Sequence, residues 1–118
     1  MLPKNTVLTF WKYIQNGKTP YQRAVYEVGK SYVFKKFDKD EYNECGEGGN
    51  VATLQWCLKD SLEKDKVELL ELEFKVSDIV AIPYLTDGKF RVKKFKVLRK
   101  ITRAGAVKLL KKITGIKK

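Results

Sequence analysis

Val67-Glu68-Leu69-Leu70-Glu71-Leu72-Glu73-Phe74-Lys75-Val76 is the stretch from which the fold can be read. Leu70, Leu72, Phe74 and Val76 alternate with Glu71, Glu73 and Lys75. Successive side chains of a strand point to opposite faces, so this period of two predicts a strand with one buried and one wet face. Ser77-Asp78 interrupts the pattern, Val80 to Ile82 resumes it, and Pro83, which has no N–H to donate, ends it. Working toward the N-terminus, Val7 to Ile14 is rich in β-branched and aromatic residues and is followed by Asn16-Gly17, a strand and a turn. Pro20 to Glu27 fits neither period. Gly29-Lys30 reads as a second turn, and Ser31 to Phe34 as a short strand.

Lys35 to Gly49 is polar and glycine-rich and reads as a loop. Thr53 is placed to cap a short helix, Leu54 to Asp60, with its hydroxyl on a first-turn N–H. Toward the C-terminus, Asp87-Gly88 is a hairpin signal. Lys89 to Ile101 reads as one long strand. Its apolar phase slips at Lys93-Lys94, which predicts a bulge there. Ala104 to Ile116 has helical periodicity: Ala106, Leu109, Leu110, Ile113 and Ile116 share one face, and Lys108, Lys111 and Lys112 the other. The expected fold is α+β. It is a small single domain, a mostly antiparallel sheet with a short central helix and a basic amphipathic C-terminal helix. Residues 1–103 form the body, and residues 104–118 form a helix packed on it or extending from it.

The charge is unevenly distributed. From Gly88 to Lys118 there are thirteen Lys or Arg residues and no Asp or Glu, while all fourteen acidic residues of the chain precede Gly88. A nearly neutral body therefore carries a strongly basic segment, and the whole chain of 118 residues has a net charge of +11. Cations this dense repel one another, and their presence points to a polyanionic partner: nucleic acid, an acidic protein or, more weakly, an anionic membrane surface. The longest apolar runs, such as Ile79-Val80-Ala81-Ile82, are far too short to span a bilayer. Met1 to Asn5 has no apolar segment of signal-peptide length, so a cytoplasmic location is expected. In that compartment Cys45 and Cys57 are expected to be thiols. Two Cys without any His do not make an ordinary zinc site, and no metal or cofactor is expected.

Several patches, taken in order, resemble an uncharacterised domain of tailed phages and their relatives. That domain occurs in phage proteins of the rapid-lysis-inhibition type and beside some pentapeptide-repeat segments. The matching residues are Gly29-Lys30-x-Tyr32, Cys45-Gly46-x-Gly48, Val51-x-Thr53-Leu54-x-Trp56, Asp78-Ile79-Val80-x-Ile82-Pro83 and Gly88-Lys89-x-Arg91-Val92, running into Phe95-x-Val97-Leu98. They cover about residues 26 to 102. Relatives often read Gly-Leu-His-Val where this chain reads Gly48-Gly49-Asn50-Val51, and this chain has no His. The resemblance implies a phage or viral setting, with the host cytoplasm as the location, and a compact domain. It brings no activity with it.

Two regions are candidate sites. The first is the basic segment: Arg91, Lys93, Lys94, Lys96, Arg99, Lys100 and Arg103, continued by Lys108, Lys111 and Lys112. Lysines and arginines at this density suit non-specific, salt-sensitive contact with phosphates. No DNA-reading motif accompanies them. Phe90 and Phe95 would stack on bases if exposed, but are expected in the core. The second is the loop of Cys45, Gly46, Gly48, Gly49 and Asn50. Its glycines would let backbone N–H groups converge on an anion, but it lacks the Gly-Lys-Ser/Thr ending of a nucleotide-binding loop and equally suits a tight turn. A loop thiol at Cys45 near a helix start is a nucleophile only with a base beside it, and no His is available. Cys57 is expected in the core. Asp38, Asp40, Glu41, Glu44 and Glu47 lack calcium-loop spacing and read as a solvated cluster or as an acidic patch for the basic segment of this or another copy. No catalytic residue is assigned. The expected chain is a non-enzymatic binder of nucleic acid. A host-protein interaction module is the alternative, and an enzyme using the glycine loop is a weaker one.

Overall fold

The computed structural model describes residues 3–19, 25–34, 49–81 and 89–114. Seven strands and two helices follow in the order β1 Val7–Gln15, β2 Ser31–Val33, β3 Gly49–Ala52, α1 Leu54–Asp60, β4 Val67–Lys75, β5 Ile79–Ala81, β6 Lys89–Val92, β7 Lys94–Thr102 and α2 Arg103–Thr114. Local chemistry sets many of the boundaries. β1 ends at Asn16 and Gly17, both with positive φ (54° and 80°), and Gln15 and Lys18 exchange backbone hydrogen bonds of 2.8 and 3.2 Å across them. Asn-Gly is the pair that tolerates this doubly left-handed turn. Gly29, at φ 88°, turns the chain into β2. The Thr53 hydroxyl accepts the Trp56 N–H at 3.1 Å and starts α1. A 3-10 turn over Val76–Asp78 separates β4 from β5, with the Lys75 N–H donating to the Asp78 carboxylate at 3.0 Å.

The strands form one antiparallel sheet in the order β2-β7-β4-β1-β3-β6-β5. β6 and β7 lie four positions apart in that order, yet only Lys93 joins them in sequence. The sheet must therefore curl. At Lys93 its two ends meet: the Lys93 N–H donates to the Asp78 carbonyl just before β5, and its carbonyl accepts from the Phe34 N–H just after β2, both at 2.8 Å. The concave interior holds one core, formed by Ile14, Val51, Leu70, Leu72, Phe74, Val92, Phe95 and Val97. Tyr26, Tyr32 and Phe34 surround Phe95 with ring centroids 5.2, 6.0 and 5.4 Å away. Phe10 meets Phe90 edge-on at 4.7 Å. A second core lies on the outer face, where α1 and α2 bury Trp11, Tyr13, Ala52, Leu54, Cys57, Val67, Leu69 and Ala106.

The fold class read from the sequence holds: an α+β domain, mostly antiparallel sheet, with a C-terminal helix packed on it. Five details differ. The long strand expected over Lys89 to Ile101 is two strands, with a bend at Lys93 instead of a bulge. The irregularity in register falls later, where Glu71 faces Arg99 and Leu72 faces Val97, leaving Leu98 as the extra residue. β4 is not wet along one whole face. Val67 and Leu69 lie on the outer face with Glu71 and Glu73, but under the helices. Gly49 and Asn50 belong to strand β3 and not to a loop, because they pair with Val92 and Arg91 of β6. Finally, Ile113 is 66% exposed, so the apolar face of α2 buries Ala106 and half-buries Leu109 and Leu110 but leaves its last described turn open. The Asp87-Gly88 turn, Pro83, Ile116, Cys45, most of the 35–49 loop and its acidic cluster lie outside the described residues.

Candidate functional site

The basic segment is sorted by the fold into buried, paired and exposed cations. Arg91 is fully buried and Lys89 nearly so. Both alternate with the inward-facing Phe90 and Val92 and therefore lie on the outer face of β6, where the Lys89 ammonium sits 5.2 Å from the centroid of the Trp56 ring of α1. A guanidinium with no exposed surface cannot reach a phosphate from outside, so Arg91 leaves the candidate interface. Arg103 also has an internal role. Its guanidinium donates to the carbonyls of Ser61 and Leu62 at the C-terminal end of α1. There a cation meets the negative end of the helix dipole and satisfies carbonyls left without an intrahelical partner.

Arg99 and Lys100 face acids that the sequence places far away. In β4, Glu71 accepts from Arg99 Nε at 3.0 Å, and Glu68 lies 3.9 Å from the Lys100 ammonium. Arg99 also lies over the Trp11 ring, 5.9 Å from its centroid. The acid-free run in sequence is thus partly neutralised across the β4–β7 ladder. Lys93, Lys94, Lys96, Lys108, Lys111 and Lys112 are exposed. Lys94 and Lys96 alternate with Phe95, which is in the inner core, and so project from the outer face of β7. The α2 lysines project from a helix whose other side packs against Leu69 and Ile101 on that same face.

Neither aromatic of the segment is available for stacking. Phe95 is fully buried, and Phe90 is half-buried against Phe10. The glycine-rich candidate is changed as well. Cys45, Gly46 and Gly48 lie outside the described residues, while Gly49 is a packing glycine. A Cβ at Gly49 would stand 2.8 Å from the Phe34 ring and 3.0 Å from the Phe95 ring. Asn50 faces Arg91 across the ladder, and its carbonyl accepts from the Lys12 ammonium. Cys57 is a buried thiol whose pKa is pushed up to about 12 by burial, the opposite of an activated nucleophile. Among the described residues, no three His, Cys, Asp or Glu side chains converge on a possible metal position. No helix among them is long and apolar enough to cross a membrane.

One cation next to the segment was not singled out from sequence. Lys75, at the end of β4, is exposed on the outer face two residues beyond Glu73, the partner of Lys96. Its alternation with Phe74 already marked it as solvent-facing. What the sequence did not carry was the pairing of β4 with β7, which brings it beside the basic segment. The chain matches no family model, no curated protein and no solved structure.

Proposed function

We propose that this chain is a non-enzymatic, phage-type accessory protein that binds nucleic acid without sequence specificity, in the host cytoplasm, through the exposed lysines of its C-terminal third. The observation that carries the reading is the exposure of Lys93, Lys94, Lys96, Lys108, Lys111 and Lys112, whereas Arg91 is buried, Arg99 and Lys100 face β4 carboxylates, and Arg103 donates to carbonyls at the end of α1. Clustered exposed lysines raise the energy of the folded state by mutual repulsion, and a polyphosphate relieves it. The phage setting rests on the sequence resemblance alone.

The test is fluorescence anisotropy of the full chain with labelled single-stranded DNA, duplex DNA and RNA over a salt series. Substitution is preferable to deletion of α2, because Ala106, Leu109 and Leu110 close the outer core. Binding should weaken linearly in log–log form, with a slope of about −0.9 per phosphate contacted on duplex DNA and about −0.7 on single strands. A triple variant, Lys94→Glu with Lys96→Glu and Lys108→Glu, should bind much more weakly and with a shallower slope while keeping its circular dichroism spectrum. Absence of binding at low salt, or equal affinity of the folded triple variant, would remove nucleic acid as the partner. A nuclease-resistant acidic host protein would then be the partner to look for.

A further inference from the structure

Among the described residues, the helices cover only part of the outer face of the sheet. α1 and α2 lie over Trp11, Tyr13, Leu69 and Ile101. Past the row of Arg99, Glu71 and Trp11, the same face of β2, β7, β4 and β1 continues with Ser31 opposite Lys96, Lys96 opposite Glu73, and Glu73 opposite Thr9. Continuing the register brings Lys75 to the row of Lys94. Every one of these side chains is exposed except Glu73, which is half-buried. Three lysines from two adjacent strands thus ring one carboxylate on an open, four-stranded surface. Resting on the nucleic-acid reading above, we infer that this uncovered quadrant is the platform on which the phosphodiester backbone lies, with Lys75 of β4 as a phosphate ligand and Glu73 as a brake on affinity.

The geometry and the chemistry agree on the backbone as the element contacted. Lys94 and Lys96 stand two residues apart on one strand, about 6.7 Å, a separation comparable to that of neighbouring phosphates along a nucleic-acid strand. The neighbouring strand places Lys75 alongside them. Thr9 and Ser31 add hydroxyls that donate to phosphate oxygens. The aromatic residues of the same strands, Phe10, Tyr32, Phe74 and Phe95, point the other way, into the inner core. This face therefore meets phosphates and not base planes. Glu73 lies in its centre, across the ladder from Lys96, where its charge opposes the ligand.

Two single substitutions test the platform without altering the basic segment itself. Lys75→Gln should lower affinity for a labelled single strand severalfold and flatten the salt slope by close to one contact. Glu73→Gln should raise affinity severalfold. An abasic strand of equal length should bind as tightly as the normal one. Thermal melts serve as the check that both variants are folded. If wild-type protein binds and the Lys94, Lys96, Lys108 triple variant does not, yet Lys75→Gln and Glu73→Gln both leave binding unchanged, the platform is refuted while the general reading stands. Loss of binding to the abasic strand also overturns it, because contact would then run through bases. If wild-type protein binds neither strand nor duplex but does bind phosphatidylserine vesicles, both readings fall together.

Discussion

Cys57 illustrates how far a single residue's chemistry is set by its surroundings. The side chain is 1% exposed, on the face of α1 that meets β1, and burial holds its proton to about pH 12 against an ordinary 9.0. In the unfolded chain the thiol ionises near its ordinary value. Above pH 9.0 the unfolded state therefore binds fewer protons than the native state, and stability falls as pH rises toward 12. The stabilisation is complete below pH 9.0. The slope above it approaches about 1.4 kcal/mol per pH unit. Unfolding free energies measured near pH 8 and pH 10 should fall further for the wild type than for Cys57→Ala, by about 1 kcal/mol. An equal fall in both would show that other groups carry the pH dependence. At this scale, Thr53, Asn16-Gly17 and Gly29 were legible in the sequence, because caps and left-handed turns depend on a residue and its immediate neighbours. Gly49 was not. It reads as a loop glycine until the Phe34 and Phe95 rings are brought against it, and those rings come from distant strands.

Between elements, the join of α1 to α2 shows a basic residue serving structure instead of binding. Arg103 opens α2 and reaches the carbonyls that end α1, tying together two helices that share the outer core. Hydrogen bonds from a charged donor contribute about 1.5–3 kcal/mol each when their acceptors are shielded. Arg103→Ala should therefore lower the unfolding free energy by about 1–3 kcal/mol and leave the salt slope of nucleic-acid binding unaltered. A normal melt with a reduced slope would put Arg103 back among the phosphate ligands. From sequence, Arg103 and Lys108 could not be told apart. The distinction depends on what each faces, and α1 is more than forty residues upstream in the chain. The same holds for Arg99 and Lys100: Glu71 was visible in the Val67–Lys75 stretch as a solvent-facing residue without an assigned neighbour, and Glu68 shares the parity of the buried Leu70 and Leu72.

For the whole molecule, a net charge of +11 on 118 residues means that self-repulsion opposes folding. The exposed Lys93–Lys96 and Lys108–Lys112 groups contribute to it most directly. Added salt screens such repulsion within a Debye length of about 10 Å at 0.1 M. The melting temperature should rise from low to moderate salt, and rise less in a Lys108→Gln, Lys111→Gln, Lys112→Gln variant. A melting temperature that falls with salt would mean that attractive pairs such as Arg99–Glu71 outweigh the repulsion. The amino-acid sequence by itself determined the elements of this protein: strands where apolar and polar residues alternate, a Thr-capped helix, an amphipathic basic helix, and a charge imbalance between its ends. These are short-range properties, decided by side-chain period, turn chemistry and composition. Only the tertiary structure decided which strands are neighbours. In the order β2-β7-β4-β1-β3-β6-β5 a single pair, β5 and β6, is consecutive in the chain. Every other ladder closes a long loop, selected by burial on two faces at once, and the period of two says which side chains share a face but not which strand lies beside them. That choice of neighbours buried Arg91, paired Arg99 and Lys100 with β4, and put Lys75 on the strand next to that of Lys94 and Lys96.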